Sequence, residues 1–222
     1  MGCRTGRVSP GTGLLRRRAP IFLGALVAGV LAVGCAAAPP RQQTDLCAIF
    51  RERPDWYEAA RESYRKWGVS VPLQMAVIQR ESSFRSDARP PRTWFLGFIP
   101  GPHLSTAYGY GQVLDGTWER YQRATGNGGA DRNDFEDVTD FIGWYGSVGQ
   151  ARHGISARSP EAFYASYHVG HAGYKRGLHR SNATAQRAIR DVRRRSGIYA
   201  TQYKSCRAEL DDLVDGPWWW PF

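Results

Sequence analysis

The sequence predicts a mostly α-helical single domain behind a removable leader. Three observations carry that prediction. Helix-start signatures recur along the chain, with Pro72, Asp115, Asp134 and Ser159-Pro160-Glu161 among them. The apolar residues between them return at helical spacing, and few stretches alternate with the period of two that strands require. No internal repeat divides the chain, and removing residues 1–34 leaves 188 of the 222, a length that suits one core.

The leader comes first. Residues 1–34 hold Arg4, Arg7, Arg16, Arg17 and Arg18, no acid, and then an apolar run of 13 residues over 21–33. That run is too short to span a bilayer comfortably. It leads into Ala32-Val33-Gly34-Cys35. A basic segment, a short apolar run and small residues before a cut describe a secretory signal. The cysteine at the cut resembles the lipobox of bacterial lipoproteins, with Ala32 where Leu is usual. The resemblance implies lipidation of Cys35. Ala36, in place of an Asp, points to the periplasmic face of the outer membrane of a Gram-negative bacterium. Residues 35–46 then read as the lipidated cysteine and a tether, and 47–222 as the folded domain with an aromatic C-terminal tail.

Five of the 30 basic residues and none of the 20 acids lie in the leader, so the formal charge falls from +10 to +5 on its removal. That weakens the case for a polyanion partner, and export excludes nucleic acid. Cys3 leaves with the leader and Cys35 carries lipid, so Cys47 and Cys206 remain, and an exported chain most simply pairs them. Closing so long a loop stabilises by up to ~5 kcal/mol in the chain-entropy account.

From Asp55, the residues Trp56, Ala59, Ala60, Tyr64 and Trp67 recur at helical spacing until Gly68 closes the segment. A second helix starts at Ser70 or Val71. On it Leu73, Val77 and Glu81 follow at i, i+4 and i+8, an apolar stripe that ends in a carboxylate. Partial burial and the negative end of a helix both disfavour the ionised form, which gives Glu81 the raised pKa of a general acid. Residues 89–104 carry too many prolines for a helix and read as a loop or short hairpin, whose aromatic residues suit either a sugar groove or a cover on the core. Asp115 caps a helix to about Thr125, and Asp134 caps another that passes Trp144. The segments 183–195 and 198–213 read as two further helices.

In order along the chain stand Glu81-Ser82-Ser83-Phe84, then Gly109-Tyr110-Gly111-Gln112, Thr117-Trp118, and Ala165-Ser166-Tyr167-His168-Val169-Gly170. Together they resemble the catalytic domain of soluble-type lytic transglycosylases of the family 1 kind, with its Glu-Ser-x-Phe, Gly-x-x-Gln and Ala-Tyr-Asn-x-Gly blocks. The resemblance spans about residues 71–177. It implies a lysozyme-like fold, no cofactor, and cleavage of the β-1,4 bond between N-acetylmuramic acid and N-acetylglucosamine in peptidoglycan glycan strands. It further implies Glu81 as the catalytic acid and base, and Ser82, Gly109, Tyr110, Gln112, Tyr167 and His168 along the substrate groove. Other cell-wall enzymes are admissible partners.

The blocks also depart from the pattern. Tyr110-Gly111 replaces Leu-Met, and His168 replaces Asn. Gln112 keeps an amide able to read an N-acetyl group, and Tyr167 keeps a hydroxyl placed to bond near the carboxyl. Two alternatives stay open. One is a muramidase that hydrolyses the same bond, with Asp87, Asp115 or Asp137 activating water. The other is a lipoprotein that holds glycan without cutting it. His168 and His171 lack a convincing third ligand, so no metal is expected. Arg187, Arg190, Arg193, Arg194 and Arg195 make a basic helix face, read as a surface for anionic glycan peptides or lipid headgroups or as a plain solvated one. The Trp218-Trp219-Trp220-Pro221-Phe222 end suits a cap on the core or a place at a membrane interface.

Overall fold

A computed structural model of the chain describes residues 38–216, so the leader, the Cys35 lipidation site and the tryptophan-rich end lie outside the described residues. α1 (Leu46–Glu52) begins at Asp45, whose carboxylate accepts from the Ala48 N–H. α2 (Pro54–Trp67) has proline at its first position and stops at Gly68, which takes the left-handed conformation. α3 (Val71–Ser82) again opens on a proline. A hairpin of β1 (Arg92–Phe95) and β2 (Ile99–His103) follows, antiparallel with an irregularity between Arg92 and Trp94. Then come α4 (Asp115–Thr125), α5 (Phe135–His153), α6 (Pro160–Lys175), α7 (Leu178–Ser181) and α8 (Ala183–Asp215).

α3 is the centre of the core. Residues 71–78 are all buried, so the helix is enclosed on every side, with α8 as its main neighbour and α2 and α5 also in contact. Its fully buried Gln74 donates from Nε2 to the Ala60 and Val69 carbonyls, which ties α3 to α2 and the turn after it. α2 packs on α5, and α6 on α8. An aromatic cluster joins distant segments. Trp56 stacks on Phe135 at 4.0 Å between ring centroids and on Phe84 at 5.7 Å, and meets Tyr110 edge-on. Each such pair adds roughly 0.5–1.5 kcal/mol beyond area burial.

Several expectations need correction. Residues 183–215 form one helix, not two. The glycine at 197 costs about 1 kcal/mol against alanine. It does not break α8, because Ile189, Val192, Ser196, Tyr199, Cys206 and Leu210 continue one buried stripe across it. The tether is shorter than 35–46. Pro40 is buried, the Tyr199 hydroxyl donates to the Gln43 carbonyl, and Gln202 bonds Leu46 N–H and the Thr44 carbonyl, so the fold already begins near residue 40. Tyr64 is largely exposed; the inner face of α2 is completed instead by Tyr57 and Arg61. The buried Arg61 guanidinium is paired with Asp211 and Asp215 at the end of α8. Asp115 lies inside the first turn of α4, where it pairs with Arg132 at 2.8 Å rather than capping the helix. The expected pairing holds: Cys47 and Cys206 are disulfide-bonded, fastening α1 to α8 with Cα atoms 6.0 Å apart.

Candidate active site

The site begins where α3 stops. Ser83 and Phe84 both take positive φ, 52° and 60°, an uncommon conformation for residues other than glycine. Ser83 closes the helix with its N–H on the Gln79 carbonyl. Phe84 is fully buried against Trp56, and that burial holds the strained turn in place. The phenylalanine of the Glu-Ser-x-Phe block is thus a core anchor that fixes where Glu81 projects. Ser82 serves the same end. It is buried and its hydroxyl donates to the Ile78 carbonyl, so it faces its own helix and not a groove.

Glu81 keeps part of its surface open, yet its carboxyl is enclosed, and loss of hydration pushes its pKa up to about 7. Two opposing influences are smaller. The Tyr164 hydroxyl donates to Glu81 Oε1 at 2.8 Å, and Arg80 places a positive charge nearby. Tyr164 is itself buried, in the second turn of α6, so the donor is fixed. Sequence reasoning gave this role to Tyr167. In the structure Tyr167 donates instead to the Gly111 carbonyl at 2.7 Å, with its ring near-parallel to that of Tyr164. Burial and the Glu81 charge hold the Tyr167 phenol well above its usual range, so its hydroxyl stays protonated. Tyr164 was legible only as the residue three positions before Tyr167 on the same helical face.

The second block is a tight turn. Gly109 has φ +74° and a side chain there would meet the Arg132 carbonyl at 1.8 Å, so only glycine fits; it is a packing requirement rather than a groove contact. Tyr110 is buried among Trp56 and Phe135 and belongs to the core, contrary to its expected place in the groove. Gly111 lets Tyr167 approach, since a Cβ there would stand 2.9 Å from its hydroxyl. Gln112, at φ 48°, donates from Nε2 to the Ala88 and Gly109 carbonyls, which leaves the amide oxygen as the part able to accept from a ligand.

A groove of about 320 Å3 runs past this turn and along α6, lined among others by Gln112, Leu114, Tyr145, Tyr167, His168 and Gly170. Gly170 breaks the helical geometry of α6 at φ 74°, ψ 157°. His168 is exposed overall on the groove wall, yet partial loss of hydration around its ring, together with Arg80, lowers its pKa. Of the expected groove residues, Gln112, Tyr167 and His168 are brought together, while Ser82, Gly109 and Tyr110 build the frame behind them. Neither Glu81 nor any other Asp or Glu is among the residues lining this groove, which Glu81 approaches through Tyr167. Asp115 is paired with Arg132, and Asp137 accepts from Asn127 and from the Asp131 N–H. His171 stacks on Tyr145, with a pKa of about 4 set by burial and by His153. Among the described residues no cluster of three His, Cys, Asp or Glu could hold a metal ion. The hairpin stands away from the core, with Leu96, Phe98 and Ile99 exposed.

Compared with known protein families, residues 23–206 match the family described as "Transglycosylase SLT domain". The match begins inside the segment read as a leader and covers all the blocks above. Neither the curated proteins nor the solved structures contain a match to this chain.

Proposed function

From the premise that the chain belongs to the transglycosylase SLT family, with its lysozyme-like mostly α fold and peptidoglycan as substrate, we propose that it cleaves the β-1,4 bond between N-acetylmuramic acid and N-acetylglucosamine and leaves a 1,6-anhydromuramyl end. The observation that carries this reading is the enclosed Glu81 with Tyr164 as its hydrogen-bond donor, close to Tyr167 on the groove wall. Glu81, protonated near neutral pH, gives its proton to the glycosidic oxygen as the C1–O4 bond breaks. The muramyl C6 hydroxyl then attacks C1, forming C1–O6, and its proton passes to Glu81. The acid is restored and no water is consumed.

An ordinary glycosidase needs a second carboxylate as nucleophile or to activate water. Asp115 and Asp137 are occupied by structural partners, which favours the one-carboxylate scheme. Tyr164 keeps Glu81 oriented for both transfers, and the Gln112 amide oxygen and His168 are offered to the sugar. The leader composition and Cys35 support a lipid-anchored enzyme at the periplasmic face of the outer membrane. Among the described residues no helix is long and apolar enough to cross a membrane.

The test is a set of variants assayed on purified peptidoglycan. Glu81→Gln is expected to lose activity by ~10²–10⁴-fold or more while folding normally, and Asp87→Asn, Asp115→Asn, Asp137→Asn and Asp191→Asn each to retain most of it. Full activity in Glu81→Gln would refute the reading, and loss in one aspartate variant equal to that in Glu81→Gln would favour the muramidase.

A further inference from the structure

At the end of α3 that carries Glu81 lies a second concavity that the reaction does not use. It is a cleft of about 260 Å3 between the end of α3 and the middle of α8, lined by Gln79, Arg80, Ser83, Asp191, Arg194 and Arg195. The basic run on α8 divides here. Arg193 turns to α6 and pairs with Glu161 at 2.8 Å. Arg194 and Arg195 face the cleft, and with Arg80 they bring three positive charges against the single negative charge of Asp191. None of the three has an ion-pair partner among the described residues. The Arg195 guanidinium lies over the Tyr199 ring at 5.5 Å, which limits its freedom before any ligand arrives. The apolar members, Ala76 and Val192, are buried, so the cleft offers an anion charge without the exposed apolar flank that membrane insertion calls for.

Its position says what the anion is. Gln79, Arg80 and Ser83 flank Glu81 within one helical turn, and Arg80 is near enough to Glu81, Tyr164 and His168 to act on the charge of each. We infer that the cleft is a carboxylate-binding subsite for the peptide stem carried by the muramyl residue at the scissile bond. Guanidinium groups suit planar carboxylates, which accept two parallel N–H bonds, and peptidoglycan stems carry free carboxylates where the glycan backbone is neutral. The cleft then selects strands that still bear their peptides. The identity of this ligand rests on the proposed glycan-cleaving role of Glu81.

The test uses the full-length protein and a variant carrying Arg194→Glu and Arg195→Gln, with the Arg194→Glu single variant as a control for the loss of the Arg195–Tyr199 contact. Cleavage is compared on peptide-bearing strands and on the same strands with their stem carboxyls amidated, since removing the stem with an amidase would leave a free lactyl carboxylate on every muramyl residue. The expected result is a fall in kcat/KM of about tenfold or more on the strands with free stem carboxylates only, with the amidated strands cut alike by variant and parent protein. Calorimetry with an isolated stem tetrapeptide adds a readout independent of catalysis. The peptide should bind the parent protein, bind the variants at least about tenfold more weakly, and cease to bind when its carboxyls are amidated. Peptide binding without cleavage of any strand would overturn the proposed function and leave the subsite standing. Equal loss on both strands, no loss on either, or a tetrapeptide that does not bind would overturn the subsite. Binding of anionic lipid vesicles that depends on Arg194, without peptide binding, would replace it with a membrane contact.

Discussion

Replacing Glu81 by glutamine is expected to make the protein more stable as well as inactive, and the size of the gain should depend on pH. The fold raises this carboxyl from 4.5 to about 7, chiefly by loss of hydration. Below pH 4.5 the group is protonated in both folded and unfolded chains and costs nothing. Between 4.5 and 7 the unfolded chain ionises first, so stability falls as the pH rises. Above 7 the full cost applies, about 3 kcal/mol at about 1.4 kcal/mol per tenfold change in acidity. Glutamine keeps the shape and the acceptor for Tyr164 without the charge. At about pH 8 the variant should melt roughly 6–12 °C above the parent protein, given ~2–4 °C per kcal/mol for a domain of this length. Near pH 4 the two should melt together. Thermal unfolding followed by circular dichroism at both pH values decides the matter. A difference in melting temperature that is the same at both, or a variant less stable at the higher pH, would refute an enclosed Glu81 with a raised pKa.

Tyr164→Phe removes the donor that pulls the Glu81 pKa down, so the alkaline limb of the pH–rate profile should move upward while the rate falls roughly tenfold; an unmoved limb would separate Tyr164 from the acid. Phe84→Ala empties a fully buried site beneath the strained turn and should cost ~3–5 kcal/mol in denaturant unfolding, with activity lost in proportion to misplacement of Glu81. Gly111→Ala puts a methyl 2.9 Å from the Tyr167 hydroxyl and should lower activity more than stability, whereas an equal loss of both would make the contact purely structural. Cys35→Ser should release the protein from the membrane fraction or leave it unprocessed; a correctly cleaved variant that still fractionates with membranes would remove the lipid anchor.

The helix starts were legible because the signals that make them are local. Proline at a first turn and Ser or Asp at a cap act within a few residues, and Pro72, Asp134 and Ser159-Pro160 stand where they were expected. Glu81 was legible for the same reason, as the polar end of an apolar stripe. The failures all turn on contacts between distant segments. The family resemblance places Tyr110 along the groove, but Trp56 and Phe135 draw it into the core. Which of Tyr164 and Tyr167 reaches the carboxyl is decided by how α6 lies against α3, and nothing within α6 records that. The segments 183–195 and 198–213 read as separate helices, although one buried stripe runs through Gly197 between them. The hold on residues 40–45 comes largely from Tyr199 and Gln202 acting on backbone carbonyls, which leaves no trace in local composition.

The central claim is that one carboxyl breaks the glycosidic bond and no water enters the product. Digestion of purified peptidoglycan in heavy-oxygen water, followed by mass spectrometry of the released fragments, tests it most directly. Muramyl ends lighter than hydrolysed ends by one water, free of the heavy isotope, and absent with Glu81→Gln are the result the account predicts. Ends that carry the heavy oxygen would contradict it and make the enzyme a hydrolase.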